Sequence, residues 1–408
     1  MKIRLFFAIV ILFLTSCNGT RRQEKPHPPI GVPLIEEILP KPTINVYIEN
    51  SGSMDGYVKG ATEFKSTVFN YLSDIKISKT ADSLNLNYIN SKVIPQGTVS
   101  EELDVLRDFI EKLNPSTFKM KGGNRRTSDI ADVIKAVLQK TDGHTISLLI
   151  SDGIFSPGKG KDAEQYLDTQ EIGIKNSFAA FLEKEKNAAV IVYQLSSNFN
   201  GTYFNKVDDK MPINEQRPFY IYVIGDAKLI SNLRNKVPDS KFKGTGIQNA
   251  FISIAGNQEV KFNLNPSVGK YRRTRTPKTI EKLEKDRSGK ICFAVNVDFS
   301  KLLLDDAYLT NSENYENNSN YMLEIKPNAK LGYTHTLYFS ASDNKVHKGV
   351  VSVKLKAKFP DWIEKVNDTD GSVAVSGKTY GIKYQLSGIF DAFTFTNNDY
   401  TEIKINVN

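Results

Sequence analysis

Apolar and polar positions along this chain change period repeatedly between about residue 43 and residue 237. Ile44-Asn45-Val46-Tyr47-Ile48 is a short β-rich run; Phe64, Val68, Tyr71, Leu72 and Ile75 then recur on one face of a helix. Leu103, Leu106, Ile110 and Leu113 repeat that pattern behind Ser100, a candidate N-cap, and Ile130, Val133, Ile134, Val137 and Leu138 do so behind Thr127-Ser128-Asp129. Ile146 to Ile150 reads as a buried strand, and Ile174, Phe178, Phe181 and Leu182 as another helix face. Two further strands, Val190 to Tyr193 and Tyr220 to Ile224, precede a closing helix from Leu229 to Val237. Continuous apolar strands between amphipathic helices predict a doubly wound, mostly parallel α/β sheet covered on both faces. Asn198 to Arg217 lacks a period and reads as an inserted loop.

The helical period fades from about Gly244. Phe251 to Ile254, Ile291 to Phe299, Tyr321 to Ile325 and Leu337 to Phe339 are strand-like. Val351 to Lys356 and Ile403 to Val407 alternate cleanly, so each predicts a strand with one solvated face. The expectation for 244–408 is a β-rich, immunoglobulin-like sandwich, with a short helix packed on it somewhere between Pro360 and Phe393. Cys292 falls in an apolar run and is expected to be a buried strand residue.

Composition narrows the chemistry. The 408 residues suffice for two or three domains, and 40% hydrophobic with 25% charged residues is globular rather than disordered. Four histidines and two cysteines argue against a Cys/His zinc cage. Residues 1–16 have the pattern of a secretory signal, with Lys2 and Arg4 followed by the apolar run Leu5 to Leu14. Leu14-Thr15-Ser16-Cys17 resembles the lipobox of bacterial lipoproteins, which implies a lipidated Cys17 as the first mature residue. Five prolines between Asn18 and Lys41 make 17–41 a semi-extended tether. The expected location is the bacterial cell envelope, anchored to a membrane through Cys17; Asn18 in place of Asp favours the outer membrane under that family's sorting rule. The formal charge of +8 becomes +6 without Lys2 and Arg4. Lys270-Tyr271-Arg272-Arg273-Thr274-Arg275 is followed at once by Glu281, Glu284 and Asp286, so it reads as a solvated loop and not as a nucleic-acid surface.

Ligands of open α/β sheets bind beyond the carboxyl ends of the strands. The polar residues there are Glu49 to Gly56, Thr127 to Asp129 and Ser151-Asp152-Gly153. Glu49-Asn50-Ser51-Gly52-Ser53-Met54 sets two hydroxyls and a carboxylate on one tight loop, with Gly52 expected to permit the turn. Short oxygen ligands suit Mg²⁺ or Mn²⁺ held by few protein groups. Plainer readings accompany these: Thr127 or Ser128 as a helix N-cap, Ser51-Gly52-Ser53 as a strand-to-helix turn, and Asp152-Gly153 as a turn.

Residues 42–237 resemble a von Willebrand factor A (VWA) domain with its metal-ion-dependent adhesion site. The family pattern Asp-x-Ser-Gly-Ser-Met is matched by Glu49-Asn50-Ser51-Gly52-Ser53-Met54, the family's remote Thr by Thr127, and its strand-end Asp by Asp152. The resemblance implies a Mg²⁺ or Mn²⁺ site at Glu49, Ser51, Ser53, Thr127 and Asp152 that receives a carboxylate from a protein partner. There are two departures. Glu49 replaces Asp and carries its carboxylate one methylene further out, and Asn124-Arg125-Arg126 intervenes between Gly122-Gly123 and the Thr, leaving Thr127 or Ser128 as the hydroxyl and two arginines at the rim.

Catalytic patterns are scarce. Gly158-Lys159-Gly160-Lys161 lacks P-loop spacing, His144 stands at the opposite end of its strand from Asp152, and Asn367-Asp368-Thr369-Asp370-Gly371 reads as an Asx-rich turn rather than a calcium loop. The leading expectation is therefore a non-enzymatic envelope lipoprotein that binds protein partners and no nucleic acid. A metal-free scaffold with a degenerate site is the alternative, and a metal-assisted hydrolase a distant third.

Overall fold

The computed structural model describes residues 40–99, 102–125, 129–274, 276, 278–328 and 332–408. The expected signal segment 1–16, Cys17, most of the expected tether, Ser100, Thr127, Ser128 and Arg275 lie outside the described residues.

Pro40–Asn408 is one compact unit. Its first part contains β1 (Thr43–Glu49), α1 (Glu63–Ile77), β2 (Ser83–Ile89), β3 (Val93–Val99), α2 (Asp104–Glu111), α3 (Pro115–Met120), α4 (Ile130–Leu138), β4 (Thr145–Ser151), α5 (Ala163–Lys184), β5 (Ala188–Phe204), β6 (Lys210–Asp226), α6 (Ala227–Lys236) and β7 (Asn249–Ile254). These strands form a seven-stranded sheet in the order β3-β2-β1-β4-β6-β5-β7. β2, β1, β4 and β5 share one direction; β3, β6 and β7 oppose them. The parallel pairings β2-β1-β4 form its centre, where every residue of β4 is buried. The mixed α/β class expected from the alternation is what the chain adopts.

Two elements differ from the sequence expectation. Asn198 to Arg217 is not an inserted loop, because β5 and β6 run on, 17 residues each, as one long antiparallel hairpin. Asn214, Glu215 and Gln216 are polar on both faces, so no alternation announces a strand. Phe251 to Ile254, expected with the C-terminal sandwich, belongs to β7 at the edge of the first sheet, so the boundary near 237–244 falls inside the packed unit.

The remainder contains β8 (Lys261–Leu264), β9 (Lys270–Arg273), β10 (Thr279–Glu284), β11 (Cys292–Asp298), α7 (Asp306–Thr310), β12 (Tyr315–Asn317), β13 (Tyr321–Pro327), β14 (His335–Ala341), β15 (Gly349–Lys356), α8 (Trp362–Val366), β16 (Asn367–Asp368), β17 (Thr379–Tyr380), α9 (Ile382–Thr394) and β18 (Asp399–Val407). Two β-rich sheets result, β12-β15-β18-β10-β9 and β13-β14-β11-β8. Their pairings are antiparallel except β10–β18. Val351, Val353, Leu355, Ile403, Ile405 and Val407 are buried, as the alternation predicts. The basic cluster is an edge strand rather than a loop: Arg272 pairs with Glu281, and Lys270 with Glu284 at 2.5 Å, across the β9–β10 ladder. Cys292 opens β11 half-buried, its thiol pushed up by burial.

α9 does not pack on the sandwich. It lies on α5, where Gly388 permits the approach: a Cβ there would stand 2.6 Å from the Glu171 carbonyl oxygen. Phe178 and Phe393 meet across this contact with ring centroids 5.9 Å apart. The segment before α9 is the expected Asx turn, with Asp368 accepting from the Asp370 and Gly371 amides.

A cavity of about 430 Å³ lies between α6 and the α7–β14 region, lined among others by Arg234, Asp239, Leu303, Asp306 and His335. His335 is buried, its Nδ1 3.0 Å from Thr334 Oγ1 and its Nε2 3.4 Å from Asp306 Oδ1. Burial holds the imidazole below its usual range against the opposing pull of the exposed Asp306 carboxylate. A histidine depressed in the fold contributes stability above its unfolded value, about pH 6.5, and loses it as pH falls through the folded one. Urea midpoints are therefore expected to fall between about pH 7 and 5, and His335→Gln to flatten that slope. An unchanged slope in the variant would place the acid sensitivity elsewhere.

Candidate functional site

β1 and β4 lie side by side and parallel, with Ile48 opposite Ile150, so Glu49 and Ser151 end their strands together. β2 flanks β1 on the other side, which makes this edge a switch point of the sheet. Three of the sequence-predicted groups, Glu49, Ser51 and Asp152, are buried there, with Ser53 partly buried. Thr127 lies outside the described residues.

The Ser51 and Ser53 hydroxyls are 2.9 Å apart. Gly52 between them has φ −64°, an ordinary right-handed value, and caps the 3₁₀ turn Ser53–Gly56. The expectation that Gly52 is needed for the turn therefore fails: a Cβ there would reach only van der Waals contact with Phe204, at 3.4 Å. Gly56 is the tighter position, since its Cβ would meet the Phe199 ring at 2.4 Å. The β5–β6 hairpin thus packs directly against the hydroxyl loop.

On β4, Ser151 Oγ donates to Glu49 Oε2 at 2.5 Å and accepts from the Gly153 amide at 2.9 Å. Glu49 is thereby tied to the backbone that carries Asp152. Gly153 has φ +66°, and its carbonyl accepts from Gln385 Nε2 at 2.5 Å; Gln385 Oε1 in turn accepts from Tyr222 Oη at 2.7 Å. Helix α9, far along the chain, fixes the turn after the strand-end Asp.

Asp152 is 2% exposed. Its Oδ1 accepts from the Ile154 amide at 3.2 Å, whereas its Oδ2 is buried with no hydrogen-bond partner among the described residues. Burial pushes this carboxyl up from its usual range, against the opposing pull of the Ser53 hydroxyl, the Ile154 amide and the Arg217 guanidinium. An orphaned buried carboxylate oxygen is uncommon and expensive. With the paired serine hydroxyls it forms an all-oxygen donor set, and these residues fit a small hard dication.

Other buried polar residues surround these groups. Asn50 is fully buried, donating to the Phe118 carbonyl at 3.3 Å and accepting from Asn90 Nδ2 at 2.9 Å. Arg125, expected at the rim, is only 15% exposed and paired with Asp55 at 2.5 Å. Arg217 is 2% exposed and donates to the Val375 carbonyl at 2.7 Å. Asp129, rather than an earlier hydroxyl, is the N-cap of α4; it accepts from the Ala131 amide at 3.0 Å and from Tyr166 Oη at 2.8 Å.

No protein-family model matches the chain, and no curated protein matches its sequence. Among solved structures it is similar to an aerotolerance-related membrane protein from Bacteroides fragilis, at 12% identity and TM-score 0.23, over 34% of this chain and 63% of that one. It is also similar to the conserved hypothetical protein BatB from Bacteroides thetaiotaomicron, at 12% identity and TM-score 0.26, over 50% of this chain and 87% of that one. The chain thus spans just under two thirds of the first of these. The fold described above rests on strand order and register, independently of both similarities. Among the described residues no helix is long and apolar enough to cross a membrane.

Proposed function

We propose that this chain is a lipoprotein of the bacterial cell envelope, anchored through Cys17, that binds protein partners at a divalent-metal adhesion site of the VWA type. The observation that carries this reading is the buried Asp152 Oδ2, unpartnered among the described residues, beside the Ser51–Ser53 hydroxyl pair, at the switch point where sheets of this class bind ligands. Ser51, Ser53, Asp152 and the remote Thr127 would hold Mg²⁺ or Mn²⁺, with Glu49 acting indirectly through Ser151. When bound, the ion offers open positions for a carboxylate supplied from outside, which is recognition chemistry and needs no turnover. The protein's own part is to hold two hydroxyls and one carboxylate in place before the ion arrives: Gln385 and Ser151 fix the Asp152 turn, and Arg125 fixes the serine loop.

A metal-free scaffold is the second reading. It is favoured by Arg217, a buried cation beside Asp152 that supplies positive charge without an ion. Calorimetric titration of Mg²⁺ and Mn²⁺ into the Pro40–Asn408 unit separates the two. Saturable binding that is weakened about a hundredfold or more in Ser51→Ala is the expected result. Silence for both ions, persisting in Glu49→Asp, would select the scaffold.

A further inference from the structure

On β1, β2 and β3 one sheet face carries amides where strands ordinarily carry β-branched or apolar side chains. Asn45, Asn85 and Thr98 stand directly opposite one another in the two ladders. They join in a row across the strands: Thr98 Oγ1 donates to Asn85 Oδ1 at 2.8 Å, Asn85 Nδ2 to Asn45 Oδ1 at 2.9 Å, and Asn45 Nδ2 to the Lys140 carbonyl at 3.5 Å. The row borders a cavity of about 570 Å³, a volume typical of small-ligand sites. Asn87, opposite Tyr47 in the β1–β2 ladder, lines the same cavity and is 8% exposed. Its Nδ2 donates to the Val46 carbonyl at 3.2 Å and to the Asn85 carbonyl at 3.1 Å. Those two bonds use both amide hydrogens and fix the amide's orientation. Asn87 Oδ1 accepts from no group among the described residues, yet it is not among the oxygens sealed from solvent. A side chain this buried meets solvent through the cavity it lines, so Oδ1 faces that space. A bulge between Leu86 and Asn87 interrupts the β3 ladder at this point, with Gly97 opposite Leu86 at φ +132°. Bulges re-aim side chains next to sites.

The lining defines the ligand. Its amides and hydroxyl both donate and accept, it holds one ammonium, that of the exposed Lys140, and it holds no carboxylate. Val93 and Pro95 add a small apolar wall. A cation finds no counter-charge here, and a nucleotide's phosphates find a single ammonium. An extended peptide would satisfy its backbone at the open edge of β3 rather than on the face of three paired strands. Sugars match the lining, because each hydroxyl donates and accepts while the ring keeps an apolar C–H face. We propose that this groove is a saccharide-binding site: Asn87 Oδ1 accepts from one sugar hydroxyl, the Asn45 and Asn85 amides serve others through the N–H each has left, and the ring packs on Val93 and Pro95. The site is independent of the metal reading, since the loop carrying Ser51 and Ser53 contributes nothing to this lining.

The test is NMR titration of the purified, isotope-labelled chain with maltotriose, cellotriose and triacetylchitotriose, and with trialanine as the peptide comparison. The signals followed are the side-chain amides of Asn45, Asn85 and Asn87. At least one trisaccharide is expected to shift them saturably, with Kd below about 10 mM. Asn87→Leu, close to Asn in size, is expected to weaken that binding about tenfold. Thr98→Val frees Asn85 Oδ1 at an exposed position where the fold is not at risk, and is expected to weaken it about threefold. Thermal melts establish that each variant is folded. Silence from all three trisaccharides up to about 10 mM overturns the inference. Binding that the folded variants leave unchanged overturns it too, because the ligand then sits elsewhere. Trialanine shifting the same amides as tightly as the best trisaccharide overturns the assignment to saccharides.

Discussion

Asp152→Asn is expected to abolish divalent-ion binding, lowering affinity by about a hundredfold or more, while making the metal-free protein more stable by about 1 kcal/mol. Both effects come from the same atom. Oδ2 of Asp152 is buried and makes no hydrogen bond among the described residues, and burial pushes the carboxyl up against the opposing pull of Ser53, Ile154 and Arg217. A neutral amide keeps the shape and the Ile154 contact at Oδ1 but removes the charge that burial disfavours. Urea denaturation of metal-free protein reads the gain, and Mn²⁺ calorimetry reads the loss. A variant that binds Mn²⁺ normally would remove Asp152 from the ligand set. A destabilised variant would mean that the Arg217 guanidinium satisfies the carboxylate better than the geometry indicates.

Arg217→Met is expected to produce the largest stability change of any single substitution near the site. The side chain is 2% exposed, donates to the Val375 carbonyl at 2.7 Å and to Glu215 Oε1 at 3.4 Å, and has its guanidinium 5.2 Å from the Tyr203 ring centroid. Met preserves the apolar stem and removes the charge. Removing the buried guanidinium leaves groups it bonds desolvated and unpaired, at about 1–3 kcal/mol each. The Val375 carbonyl is one such group, and Asp152 loses a nearby positive charge. If Arg217 and Asp152 are coupled, Arg217→Met with Asp152→Asn will be less destabilised than the two single changes added, by about 0.5–3 kcal/mol. Strict additivity in urea denaturation would show that Arg217 serves the 375 segment alone, and would weaken the metal-free reading.

The chain's local patterns are a good guide where an element buries one face or both. Phe64, Val68, Tyr71, Leu72 and Ile75 on α1, and the wholly buried β4, stand where their periodicity puts them. The same rule fails where apolar positions are too sparse to show a period. The outer β5–β6 hairpin buries Phe199 and Tyr203 but separates them with Asn200, Gly201 and Thr202; its strand character comes from cross-strand hydrogen bonds, which no side-chain pattern records. α2 begins at Asp104 with Leu103 at its N-cap position, and Leu103 has no side-chain oxygen to announce a cap. Gly52 does not use the backbone freedom its place in the loop suggests, because a glycine in a loop announces either a left-handed turn or ordinary space, and here the space is ordinary.

The candidate site divides in the same way. Sequence by itself determined which hydroxyls and carboxylates reach the carboxyl ends of β1 and β4, because strand ends are local and their spacing is visible. It also determined the α/β class followed by β-rich sheets. Only the tertiary structure decided what surrounds them. Arg125 reaches the serine loop across 74 residues of chain to Ser51, and Gln385 holds Gly153 across 232. Helix α9, expected on the sandwich, completes the layer over α5. These contacts depend on which distant segments pack together, and a hydrogen bond between buried groups leaves no periodic trace in either partner. Local sequence thus supplied the hydroxyls and carboxylates, while long-range packing decided how rigidly they are held and left Asp152 Oδ2 without a partner among the described residues.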